Sequence, residues 1–275
     1  MIPPQSVALA DTNLFTLFET GAAYGLLPVA LAQNLSVRAD ARQSVPAAGH
    51  LEGMSGPPDG PPLRLLVVGD GSAVGSGCAR FEDSLAPRLA WGIGMRLQRP
   101  VHWRAVGAAG WTAARLSTAL RREGVPRADI VLVLLGVNDA MALTPRADWR
   151  RDLVGLRREL LAAGARLVGF SGRAPVRSLP RFGWPLGALL QRRVAQLDRV
   201  LREVVDGLPL AADRTILHVP VPDVTSAEQL AADGMHASRN GYARWAGALA
   251  ITLAAEWRAL PSTINQDLQQ DRGCQ

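Results

Sequence analysis

Leu65-Leu66-Val67-Val68 runs directly into Gly69-Asp70-Gly71-Ser72-Ala73-Val74-Gly75, and the reading of the whole chain turns on this junction. Four apolar residues closed by a glycine have the pattern of a short buried strand. The small, polar turn that follows leads into 84–96, where apolar residues recur at helical spacing. A buried strand, a loop and a helix in succession form the unit from which parallel sheets are assembled.

Downstream the alternation continues. Residues 101–106, 130–135, 166–170 and 215–219 read as strands, and 112–122, 149–163, 186–205 and 239–260 as helices. Five apolar strands separated by helices predict an α/β protein with a five-stranded parallel sheet covered on both faces. There is no internal repeat. In such folds ligands bind beyond the carboxyl ends of the strands, so chemistry is sought there.

Upstream, 14–32 is apolar, and Ala30-Leu31-Ala32 resembles a signal-peptidase site. No basic residue precedes Arg38, however, and Asp11 and Glu19 stand where an export signal carries positive charge. Glu19 and Pro28 also interrupt the stretch as a membrane span. It reads as a helix packed on the domain or lying on a membrane surface, in a cytoplasmic or membrane-associated protein, with export left open. Residues 33–62, with Pro46, Pro57, Pro58, Pro61 and Pro62, read as a linker or surface wrap. The expected division is 1–62 for the helix and linker, 63–260 for one domain, and 261–275 for a polar tail.

The chain has 275 residues, 48% hydrophobic and 20% charged, which suits a soluble globular protein with a sizeable core. Collagen-like, disordered and disulfide-scaffold classes are excluded. The net charge of +6 comes with no lysine at all. The arginines are scattered and often sit beside acids, as in Arg150-Arg151-Asp152 and Arg157-Arg158-Glu159. A nucleic-acid surface needs basic residues clustered on one face, so no nucleic-acid partner is expected. Cys78 and Cys274 have neither metal-site nor disulfide spacing.

Four strand ends carry polar signatures. The first is Gly69-Asp70-Gly71-Ser72, and Gly107-Ala108-Ala109-Gly110 follows the second strand. Gly136-Val137-Asn138-Asp139 follows the third, and Asp233-Gly234-Met235-His236 precedes the last helix. Singly each is weak; in this order and at these positions they are specific. From about 63 to 260 the chain resembles the SGNH (GDSL-type) hydrolase superfamily. That resemblance implies a three-layer α/β/α, flavodoxin-like fold and a serine esterase or acyl hydrolase acting on a small ester or acylated substrate. It also implies Asp233 and His236 as the acid and base of the triad, and Gly110 and Asn138 as oxyanion donors. The family's nucleophile follows Gly-Asp directly, and here that residue is Gly71, with Ser72 one place later.

The residues suit acyl transfer on physical grounds. A hydroxyl nucleophile needs an imidazole within reach and a carboxylate to fix its tautomer. Asp233 and His236, three apart before a helix, can supply that pair; alternatively they are a helix N-cap and a surface histidine. Asn138 can aim its amide at an oxyanion beside the backbone N–H groups of Gly71 and Gly110, or can simply cap its strand. Asp139 reads as structural, bonding amides of its own turn. Ser72 is the candidate nucleophile, with a helix-capping hydroxyl as its alternative role. Ser76 lies further into the turn, and Ser171 lacks a nucleophile elbow's second glycine. Trp111 and Met141 are candidates to contact substrate, and 171–184 reads as a flexible flap.

No cofactor or metal is called for. Two other readings stay open. A catalytically impaired relative would bind acyl or carbohydrate ligands without cleaving them, as Gly71 suggests. A dinucleotide binder would use Gly69-x-Gly71-x-x-x-Gly75, but the second strand ends without the acidic residue that a ribose requires.

Overall fold

The computed structural model describes residues 14–43, 45–207, 210–223 and 226–261. Six strands form one sheet: β1 (Glu52–Ser55), β2 (Leu63–Gly69), β3 (Val101–Gly107), β4 (Ile130–Leu134), β5 (Leu167–Ser171) and β6 (Thr215–Val219). Their order is β1-β3-β2-β4-β5-β6. The last five of these are mutually parallel, as expected, in the flavodoxin-like order. β1 is an addition, pairing antiparallel with β3 at the sheet edge.

Seven helices accompany the sheet: α1 (Leu14–Gln43), α2 (Leu85–Leu97), α3 (Ala113–Glu123), α4 (Val137–Met141), α5 (Arg146–Ala162), α6 (Leu186–Asp206) and α7 (Arg239–Ala259). The period of two in β2 explains the layering. Leu66 and Val68 enter a core shared with α3, α5 and α6, while Leu65 and Val67 enter a second core under α2 and α7. Continuous apolar runs such as Ile130–Leu134 are buried on both faces, as parallel strands between helical layers must be.

The segment 33–62 departs from its reading as a linker. α1 runs through Pro28 to Gln43, and Glu52–Ser55 becomes a strand. The prolines had argued for irregular chain, but those after Gln43 flank the strand and do not enter it. α1 docks through Ala30, Asn34, Val37 and Ala41, all buried at helical spacing, and leaves Leu27, Leu31 and Leu35 exposed on its outer side. Asn34 Nδ2 donates to the Met141 carbonyl at 3.0 Å, and Leu186 N–H donates to Gln33 Oε1 at 3.2 Å. No described helix is long and apolar enough to cross a membrane. Of the tail, only Pro261 falls within the described residues.

At the carboxyl end of β2 the chains crowd. A Cβ on Gly69 would stand 2.1 Å from the Leu134 carbonyl oxygen, so only glycine lets β2 end there. Gly247, exposed within α7, has nothing within 4 Å of its Cβ direction. Gly69→Ala is expected to lower unfolding free energy by at least about 2 kcal/mol. Gly247→Ala should raise it by about 0.5–1 kcal/mol through helix propensity alone. Urea titrations of both variants check the contrast, and equal effects would refute the crowding argument.

Candidate active site

A cleft of about 110 Å³ opens where the parallel strands end. Leu134, Met141, Leu179, Phe182 and Met235 give it apolar walls, while Gly71, Ser72, Gly110, Asn138 and His236 bring polar groups to it. Five of the six expected site residues thus meet in one place. Asp233, the sixth, stands behind His236.

His236 lies in the loop before α7, where Gly234 takes a φ of 64° to turn the chain. Its Nδ1 is 2.6 Å from Asp233 Oδ2. Asp233 Oδ1 accepts the backbone N–H groups of Met235 and His236, each at 2.9 Å. Burial alone would push Asp233 up; the ring and these two N–H groups outweigh it and hold the carboxyl well below its ordinary value. An ionised Asp233 fixes the proton on Nδ1 and leaves Nε2 as the acceptor. Nε2 has no hydrogen-bond partner among the described residues.

The side-chain direction that faces this nitrogen belongs to Gly71. A Cβ there would lie 3.0 Å from His236 Nε2. Ser72 lines the cleft but is turned otherwise. Its N–H donates to Asp70 Oδ1 at 3.0 Å. No hydrogen bond joins it to His236 among the described residues. One step along a tight turn has rotated the hydroxyl away from the base. Cys78 offers no substitute, because burial pushes its thiol up to about 11.

Around Gly71 the remaining donors are in place. Asn138 Nδ2 donates to Asp70 Oδ2 at 3.2 Å, and the same amide carries a second N–H. Burial raises the Asp70 carboxyl, against the N–H of Ser72 that favours its charged form. Gly110 adopts a φ of 76°, and the Arg42 stem runs over it. The N–H groups of Gly71 and Gly110 are engaged by no partner among the described residues.

Other expectations change. Asn138 and Asp139 stand not in an open turn but in the short helix α4. Asp139 reaches beyond its own turn: both its oxygens accept the Ala113 N–H at 3.2 Å, tying α4 to the start of α3. Met141 lines the cleft, whereas Trp111 packs against the α3–α5–α6 core and does not. Residues 171–184 form a packed wall and not a loose flap, since Val176 and Phe182 are buried in that core. Sequence reading missed the His218–Asp198 pair, joined at 2.6 Å. It does not line the cleft.

Residues 67–244 match the GDSL-like lipase/acylhydrolase family. The chain belongs to that family. It is 25% identical over 272 residues to the GDSL-like esterase Rv1075c of Mycobacterium tuberculosis, covering 91% of this chain and 84% of the relative. Its fold is similar to those of TesA and of the lipase Lip_vut3 from a goat rumen metagenome. TesA superposes with a TM-score of 0.51 at 21% identity, over 69% of this chain and 97% of that one. Lip_vut3 gives 0.53 at 17% identity, over 70% and 97%. α1 lies outside the span that matches this GDSL family.

Burial raises Asp139 from 3.8 to about 7, reinforced by the charge of Asp70 and opposed by the Ala113 N–H. A carboxyl with a raised folded pKa resists ionisation in the native state. Its contribution is most favourable below the unfolded value and is lost as pH rises from about 4 to about 7. Melting curves of the protein and of Asp139→Asn, a neutral isostere, should shift in favour of the variant across that range. A difference independent of pH would refute the assignment.

Proposed function

We propose that this chain hydrolyses carboxylic esters or acyl groups, with Asp233 and His236 as acid–base pair and Gly71, Gly110 and Asn138 as oxyanion donors. The observation that carries the reading is His236 Nε2. It is unpartnered, backed by a carboxylate, and placed 3.0 Å from the Gly71 side-chain direction on the cleft wall. Nε2 takes the proton of the attacking group, and imidazolium is stabilised by Asp233. As the carbonyl oxygen gains charge, the N–H groups of Gly71 and Gly110 and the Asn138 amide receive it. Imidazolium then protonates the departing alcohol. With glycine at the position facing the base, the attacking group is a neighbouring hydroxyl of the turn or a water molecule.

Turnover of short 4-nitrophenyl esters tests this. His236→Ala should lower kcat/KM by about 10²–10⁴-fold, and Asn138→Ala should lower kcat by about 10²–10³-fold. Unchanged rates in His236→Ala would remove the base assignment. Gly71 favours one second reading, a binding protein of the same fold. It would be supported if the unaltered chain bound esters without turning any over.

A further inference from the structure

Beside Gly71 lies a hydroxyl that the fold leaves without work. Ser76 is fully buried behind Gly71, outside the residues that line the cleft, and its Oγ has no hydrogen-bond partner. Such a group is costly to bury, so its retention calls for an explanation. The Oγ lies 2.8 Å from the point a Gly71 Cβ would take, and His236 Nε2 lies 3.0 Å from that same point. Ser76 and the base therefore flank one spot, and glycine is what keeps that spot free of a side chain. The backbone of Ser76 is held from both ends. Its N–H donates to the Gly71 carbonyl at 2.8 Å, and its carbonyl accepts the Tyr242 hydroxyl at 2.8 Å. Tyr242 stands in the first turn of α7, just after His236 in the chain, so one helix start fixes both hydroxyl and base.

We propose that Ser76 is the nucleophile of this enzyme, standing in for the side chain that position 71 lacks. The proposal rests on the ester-hydrolase reading. Ser76 Oγ bonds to the ester carbonyl carbon while its proton passes to His236 Nε2, and the carbonyl π pair moves to the oxygen. Collapse breaks the bond to the alcohol, which leaves with the proton from His236. Water then attacks the acyl-Ser76 ester by the same route, releasing the acid and restoring the hydroxyl. The geometry also accounts for the glycine. A serine at 71 would set its Cβ 2.8 Å from Ser76 Oγ and 3.2 Å from Ser76 Cβ, so Ser76 would have to shift to admit it.

A fluorophosphonate probe on the full chain, with the adduct located by tandem mass spectrometry, is the test. An adduct on Ser76 is expected. Ser76→Ala should lose it, together with about a thousandfold or more of kcat/KM. The melting temperature should hold or rise, because no hydrogen bond is lost. Gly71→Ser/Ser76→Ala should move the adduct to position 71. An adduct on Ser72 overturns the proposal, as does Ser76→Ala that melts lower but keeps its turnover. His236-dependent turnover with no adduct assigns the attack to water and overturns Ser76 alone. Absence of both turnover and adduct in the unaltered chain removes the ester-hydrolase reading beneath it.

A different observation bears on substrate. Arg38 and Arg42 from α1 and Arg115 from α3 line a small recess together with Thr112, and its floor includes Gly110 and Asn138. None of the three arginines forms an ion pair among the described residues. Like charges gathered without a carboxylate repel one another, and a bound anion relieves that repulsion. We infer that the substrate carries an anionic group, carboxylate or phosphate, held in this recess beside the oxyanion donors. 4-Nitrophenyl hydrogen glutarate, which ends in a carboxylate, can be compared with 4-nitrophenyl butyrate. The ratio of their kcat/KM values should favour the glutarate, fall as salt is raised, and fall about tenfold or more in Arg38→Gln/Arg42→Gln/Arg115→Gln. A 4-nitrophenyl ester ending in phosphate shows whether the recess prefers that anion. A ratio unmoved by the triple change overturns the inference, whereas failure to cleave either ester counts against the hydrolase reading.

Discussion

Everything at the cleft depends on how closely β2 may end against β4. Gly69 stands where a single carbon more would strike the Leu134 carbonyl, and that carbonyl accepts the next N–H, from Asp70, at 3.1 Å. β3 closes in from the other side, since a Cβ on Gly107 would come within 2.5 Å of the Gly69 carbonyl oxygen. With three strand ends pinched together, the turn after β2 has one available course. It delivers Gly71 and Ser72 to the cleft and gives Asp70 to Asn138.

The parts of the candidate site come from separate stretches of chain, and each is anchored by backbone bonds. Asp233 is gripped by two N–H groups of its own loop, α4 is bolted to α3 by Asp139, and Tyr242 reaches across to the Ser76 carbonyl. Such anchoring keeps polar side chains oriented before any substrate arrives, which is what electrostatic stabilisation of a transition state requires. α1 adds a layer of another kind. It lies outside the family's matched span, yet it lays Arg42 over Gly110 and closes one wall of the cleft with Ala41.

Much of this was legible in the residues. Apolar runs such as Ile130–Leu134 announce buried parallel strands, and the polar clusters after them mark where chemistry collects. What could not be read was set by contacts distant in sequence. Glu52–Ser55 has no apolar alternation, because its strand character comes from pairing with β3 and not from burial of one face. The helix expected over the apolar stretch 14–32 runs on to Gln43, because Asn34, Val37 and Ala41 pack against the domain. At the site, Asp233, His236, Gly110 and Asn138 were visible as short motifs at strand ends. Ser76 was seen there only as a serine further into the turn and set aside, because its place beside position 71 arises only when the turn folds back.

The crowding between those two positions has a consequence for how such a chain changes over generations. A side chain gained at 71 obliges Ser76 to shift, since its Cβ would stand 2.8 Å from Ser76 Oγ. Such a substitution has no fixed effect of its own; its sign depends on the partner. A serine at 71 is therefore accommodated most easily once 76 has become alanine.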